Sequence, residues 1–235
     1  MKAEEVKKEI KKFADPERAK NAQRYFKTGK GQYGYGDVFL GLSVPLQRKI
    51  AKKFEGLPLS EIKKLISSKI HEHRFIALII LLSQYQKGTA SDKKSIVNFY
   101  LKNKKYINNW DLVDTSAPRI LGDWFLNKEK SFLYKMAKSK NIWDRRIAIL
   151  STFWFIKHNR FEDSIKLARI LLSDKHDLIH KAVGWMLREM GKRSETELEA
   201  FLDKNYRLMP RTMLRYAIER LPEKKRLYFM HRLHY

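Results

Sequence analysis

Trp110 and Asp114, in the stretch NNWDLVD, stand four residues apart with a second acid, Asp111, between them. On a helix, side chains at i and i+4 share a face, so an indole and a carboxylate would line one patch. Such a pair suits a cationic ligand or a cationic transition state, because the ring offers a negative π-face and the carboxylate a full charge. Trp185, in KAVGWMLREMGK, would add a second indole if its helix faces the same groove. Asp111 follows Asn109 near the expected helix start, where an acid complements the positive end of the dipole. Asp111 is therefore read as helix chemistry and Asp114 as the site. Trp124, Trp143 and Trp154 are read as core.

Other patterns carry less. The stretch KTGKGQYGYGDVFLGLSVPLQRK, residues 27–49, has GxG spacing but lacks the GK[ST] ending and follows no strand, so a Walker or Rossmann loop is a poor reading. It is either a loop shaped to lie near a polyanion, with Tyr33, Tyr35, Lys27, Lys30 and Arg48 available, or a plain connector. The seven histidines form no HExxH pair, and His71 and His73, two apart, point to different helix faces. No metal site is expected. There is no GxSxG elbow or Ser-His-Asp order. The chain has no cysteine, which excludes disulfides, thiolate chemistry and Fe–S clusters. No cofactor is expected.

The elements that must position these residues are helices. EVKKEIKKF, LSEIKKLISS, HRFIALIILLSQY, KSIVNFYLKN, RRIAILSTFWFIK, SIKLARILLSD, HKAVGWMLREMGK and SETELEAFLDK all space their apolar residues helically. Ser60, Ser91 and Ser194 with Glu197 read as caps. Pro118 should break or kink the helix carrying Asp114, or open the next one. No β alternation is evident, so the expected class is all-α.

The helices also repeat. Arg74, Trp110, Arg146 and Lys181 share a column with gaps of 36, 36 and 35 residues, and Leu78, Asp114, Leu150 (or Ile149) and Trp185 share the column one turn later. This spacing predicts a superhelical array of antiparallel helix pairs, HEAT-like, forming a single domain over 1–235 with a concave basic groove. A helical bundle with coincidental spacing is the alternative. Asp114 stands out here, because its column is otherwise apolar. Burying it unpartnered would cost several kcal/mol, so it should face a solvated groove or meet a cation such as Arg146.

With 50 Lys+Arg against 26 Asp+Glu, the net charge is +24. A field of that size attracts polyanions, of which nucleic acid is the commonest. The hydrophobic fraction of 43% and aromatic fraction of 12% argue for a folded chain rather than a disordered basic tail. MKAEEVKKEIKKF has no apolar signal region, and the longest apolar run, Phe75 to Leu82, is too short for a bilayer. A cytoplasmic monomer away from membranes is expected.

GYGDVFLGLSVPLQRKIAK, NNWDLVDTSAPRILG, WDRRIAILSTFWFIK and KAVGWMLREMGK together resemble the AlkD-type DNA alkylation repair proteins, over about residues 20 to 225. The WDLVD and KAVGWMLRE segments are the specific ones. The resemblance implies a HEAT-like DNA glycosylase that hydrolyses the N-glycosidic bond of positively charged N3- or N7-alkylated purines in duplex DNA. It implies Asp114 as the catalytic carboxylate, Trp110 and Trp185 as the groove tryptophans, and one of the RR pair as the groove arginine. Arg146 is preferred for keeping the repeat column, with Arg145 open. Lys181, Arg188, Lys27, Lys30 and Arg48 are further DNA-binding candidates. An alkylated purine already carries positive charge, so its departure needs no general acid. A carboxylate beside C1′ would stabilise the oxocarbenium ion and orient water. Extrusion of the base and recognition through the backbone both stay open. Two rivals remain: a non-catalytic scaffold that binds nucleic acid, and a relative acting on other damaged bases. A pure polyanion binder gains nothing from Asp114, whose charge repels phosphate.

Overall fold

The computed structural model describes residues 1–231 and is all-α, as expected. Among the described residues the helices are α1 Ala3–Lys11, α2 Pro16–Tyr25, α3 Val44–Lys53, α4 Leu59–Ile66, α5 His71–Lys87, α6 Ala90–Asn103 and α7 Trp110–Phe125. They continue with α8 Ser131–Ala137, α9 Ile142–Lys157, α10 Glu162–Ile170, α11 Asp177–Gly191, α12 Glu195–Asn205, α13 Arg211–Ile218 and α14 Glu223–His231. Single 3-10 turns follow α6 and α12. None of the described helices is long and apolar enough to cross a membrane. The chain divides into two compact units, Met1–Ser116 and the part from Ala117 onward, with the boundary inside α7.

In the first unit α5 is the central element. Its residues His71 to Leu78 are all buried, and α3, α4 and α6 pack around it while α1 packs on α3 and α4. That explains why HRFIALIILL is apolar nearly all round: a helix enclosed by neighbours needs no solvent face. Between α2 and α3 the chain makes one parallel bridge, Val38 to Ile70, with Val38 N–H donating to Lys69 O at 3.1 Å and His71 N–H to Val38 O at 2.8 Å. Within residues 27–49, the segment 37–42 is thus tied to the start of α5. Gly41 is required there. Its φ of +87° is left-handed, and a Cβ would meet Asp15 O at 2.2 Å.

In the second unit α9 is enclosed by α8, α10 and α11, and α11 packs on α9, α10, α12 and α13. The approach of α11 to α13 is backbone-close: a Cβ on Gly184 would lie 2.5 Å from both Met213 O and the Cβ of Tyr216. A methyl group cannot be accommodated without parting the helices. Gly184→Ala should therefore cost about 1–3 kcal/mol, as overpacking does. At roughly 2–4 °C per kcal/mol for a chain of this size, thermal melting should show a clear fall. An unchanged melting temperature would mean that the helices are not in this contact.

Several local expectations are revised. The cap of α4 is not Ser60, because the helix starts at Leu59 behind Pro58, leaving Ser60 inside it. Nor does Ser91 cap α6. Thr89 does, in a reciprocal capping box with Asp92, since T-x-x-D satisfies two N–H groups where Ser91 could satisfy one. Ser194 caps α12 as expected, accepting from Glu197 N–H at 3.3 Å. Pro118 neither ends α7 nor opens another helix; it lies inside α7. It has no N–H to give to the carbonyl four residues back, that of Asp114.

The four helices that carry the column residues are α5, α7, α9 and α11. Arg74 is the fourth residue of its helix and Arg146 and Lys181 the fifth of theirs, but Trp110 is the first of α7. The column thus slips by about one turn at α7, and Trp110 stands at a helix start.

Candidate active site

The start of α7 is fixed by its own sequence. Asn109 is fully buried; its Oδ1 accepts the Trp110 N–H at 2.8 Å and its carbonyl accepts the Val113 N–H at 3.2 Å. The first helical turn therefore begins on a buried polar anchor, and Trp110 leaves it half-exposed. Phe26, which follows α2, stacks on the indole at 5.3 Å with the planes 17° apart, and Tyr25 meets it edge-on at 5.8 Å. Phe26 in turn stacks on Phe39 at 4.9 Å.

Asp114, one turn further, is half-buried rather than sealed. The neighbouring Tyr100 hydroxyl is fully buried and hydrogen-bonded to Ser116 Oγ at 2.9 Å. Burial pushes its pKa up, and the charge of Asp114 pushes the same way. Asp114 thus lies half-buried beside the buried Tyr100–Ser116 pair.

Asp111 departs from the sequence reading. Its Oδ1 accepts the Leu112 N–H at 2.8 Å, as helix-end chemistry would have it, but its Oδ2 lies 2.8 Å from His71 Nε2. The other ring nitrogen, His71 Nδ1, is 3.1 Å from Asp37 Oδ2. Asp37 also meets Arg74 Nη2 at 2.7 Å and accepts from Asn109 Nδ2 at 3.2 Å. The side chains of Asp37, His71 and Arg74 are each 4% exposed or less. The His71 ring stacks on Phe39 at 4.5 Å. Two carboxylates and two cations thus form one buried cluster, joining residue 37, the first turn of α5 and the first turn of α7.

The cluster sets its own protonation. Burial alone would lower the pKa of His71, but Asp111 and Asp37 outweigh it and raise the imidazole to about 9. Burial likewise opposes the charge of Asp37, yet His71, Arg74 and Asn109 hold its carboxyl below the ordinary range. His73, two residues on, goes the other way: burial, with Lys7, lowers it to about 4, and its Nδ1 lies 3.0 Å from Ser68 Oγ. A cavity of about 150 Å³ lies beside the cluster, lined by Phe26, Phe39, Gln47, His71, Glu72 and Asp111 among others. Among the described residues no group of acids and histidines is arranged to hold a metal ion.

The remaining candidates lie in varied settings. Arg145 is committed locally: Nε meets Asp174 Oδ2 at 2.6 Å, and Nη1 donates to Ser139 O and Lys140 O at 2.9 and 3.0 Å. Arg146 is only 5% exposed, and its guanidinium donates to Leu178 O. Both guanidiniums of the RR pair are thus engaged by the protein. Lys181 pairs with Asp177 at 2.7 Å on α11, and Arg188 with Glu219. Trp185 is half-buried, tilted against Phe153 at 6.1 Å, with its N–H donated to Glu189 Oε1 at 3.1 Å. Lys27, Lys30 and Arg48 are exposed, Lys27 in the left-handed region at φ 55°. Of the tryptophans read as core, Trp143 is buried, whereas Trp124 and Trp154 are only half so. Lys128 Nζ sits 3.9 Å from the Trp124 ring centre.

Sequence reasoning missed Asp37, His71 and Phe26 as neighbours of the candidate site and placed Arg74 only in the repeat column of Trp110. The three missed residues lie 39 to 84 residues from Trp110, so no local spacing announces them. The one local signal was HEHR, residues 71–74, four polar side chains opening a helix whose next eight residues are apolar.

Fold and composition define a class: an all-α protein of serially packed helices whose chain carries a net charge of +24. The chain belongs to the DNA alkylation repair enzyme family, whose model matches residues 6–221. Its fold is similar to a solved structure described as a predicted DNA alkylation repair enzyme from Enterococcus faecalis. The TM-score is 0.69 at 19% identity, over 89% of this chain and 97% of that one. No curated protein matches the chain significantly.

Proposed function

We propose that the protein is a DNA glycosylase that hydrolyses the N-glycosidic bond of positively charged N3- and N7-alkylated purines in duplex DNA. Membership of the family supports a role in alkylation-damage repair. The observation that carries the finer reading is the half-open start of α7, where an indole and a carboxylate one turn apart both keep solvent-facing surface. A carboxylate there would meet a deoxyribose that turns cationic as the base departs, stabilising the ion and orienting water. The alkylated base leaves as a neutral molecule, so no acid is needed opposite Asp114. Trp110 would favour the same cationic character through its ring face. Trp185 is proposed as a second DNA contact, and Lys181, Arg188, Lys27, Lys30 and Arg48 as phosphate-binding cations. For the RR pair the proposed role shifts from reaching DNA to bracing the helix ends around α9, because both side chains are engaged internally.

The deciding experiment is incubation with methylated duplex DNA and measurement of released bases. Release of N3-methyladenine or N7-methylguanine above the spontaneous rate is the expected result. Tight binding with no release would favour the scaffold reading and overturn the glycosylase one. Trp110→Ala and Trp185→Ala should each slow release by about tenfold, the scale of one lost cation–π contact. Trp154→Ala should instead lower the melting temperature and leave release near wild type. The reverse pattern across the three variants would move the site elsewhere.

A further inference from the structure

We propose that His71 is a positioning residue for excision: held between Asp37 and Asp111, it sets the first turn of α7 and with it the presentation of Trp110 and Asp114. The inference rests on the glycosylase reading and deepens it. His71 donates from both ring nitrogens only as the imidazolium, and it has a carboxylate oxygen at each, 3.1 Å away on Asp37 and 2.8 Å away on Asp111. A neutral ring has one N–H, so one of these contacts would turn from attraction into a lone-pair clash. Asp111 makes the shorter contact but is the more exposed end. Its side chain is 15% exposed against 4% for Asp37, and Asp37 keeps Arg74 and Asn109 whatever His71 does. Loss of the proton therefore breaks the two-ended bridge between Asp37 and Asp111, and Asp111 is flanked by Trp110 and lies three residues before Asp114. The charged groups facing the ring are Asp37 from the connector, Asp111 from α7 and Arg74 from α5 itself, while Glu72 is turned to the Leu40 and Gly41 N–H groups at 3.0 and 2.8 Å. Phe39 stacks on the ring and Phe26 lies tilted beside it, and neither brings charge.

The test is the pH profile of single-turnover release of N7-methylguanine from duplex DNA, between about pH 6 and 10, with spontaneous loss subtracted. Wild type should lose rate on the alkaline side, with a midpoint near the His71 value of about 9. Asp111→Asn removes one of the two carboxylates that hold the proton, so the midpoint should move down by about one unit or more. The ratio of wild-type to variant rate then grows steeply with pH, whereas duplex affinity stays level. Loss by one constant factor at every pH is what general structural damage gives, and it would overturn the proposal. Should Asp111→Asn fail to fold, wild type alone decides. The ¹⁵N resonances of His71 must titrate together with the rate, and an imidazole that titrates elsewhere refutes the link. Absence of release from wild type at every pH would instead defeat the glycosylase reading, and this inference with it.

Discussion

Replacing Asp114 with Asn should leave binding to duplex DNA in place and lower release of N7-methylguanine by about 100- to 1,000-fold. That is the scale on which removing one preorganised electrostatic group acts, roughly 3 to 4 kcal/mol of transition-state stabilisation. Asn keeps the size and polarity of the side chain and removes only the charge, so a half-buried position should tolerate it. Single-turnover release and duplex affinity, measured side by side, check both halves of the expectation. Release within a few-fold of wild type would remove Asp114 from the chemistry. Weakened binding with normal release from bound DNA would make it a binding residue instead.

The second large effect is on stability. Asp37→Ala takes away the carboxylate shared by His71 and Arg74, both nearly fully buried, and leaves two cations facing each other in the interior. Breaking a buried pair from one side costs about 3–5 kcal/mol, chiefly because the abandoned charge cannot be resolvated. At roughly 2–4 °C per kcal/mol, the melting temperature should fall by about 6–20 °C. Asp37→Asn should cost less, since it can still accept a hydrogen bond. Equal melting temperatures for wild type and Asp37→Ala would show that the cluster is not buried as described.

Histidines two residues apart also give the first unit a pH signature. His71 is raised to about 9 in the folded chain from an ordinary 6.5, so its contribution is fully present below about 6.5 and is lost as pH rises through 9. His73 is lowered to about 4, so its contribution is present above about 6.5 and is lost as pH falls toward 4. Together they favour a maximum near neutrality. The net charge of +24 pulls differently, because self-repulsion eases as lysines lose protons at alkaline pH. Stability that declines between pH 7 and 9 would therefore be the mark of His71 over the general field.

The fold class was legible because helical spacing is a local property, written into runs such as HRFIALIILL and RRIAILSTFW. Asp114 was legible as a charged side chain in an otherwise apolar column, and it emerges half-exposed. Helix starts were less so: α4 begins directly after Pro58 with no side-chain cap, leaving Ser60 inside it, and at α6 Thr89 rather than Ser91 takes the N–H group of Asp92. Asp111 was half-read. Its bond to Leu112 N–H is local and could be anticipated, whereas its partner His71 lies 40 residues away. The setting of Arg145 was hidden for the same reason, since its partner Asp174 lies 29 residues away.

Phe26 lies flat against one side of the Trp110 indole, and Tyr25 touches its edge. At most one π surface is left to meet anything from outside, so the ring's attraction for positive charge acts over a single hemisphere. In the proposed reaction, a cationic sugar favoured by the indole would have to come to that open side, so the packing of Tyr25 and Phe26 limits the approach.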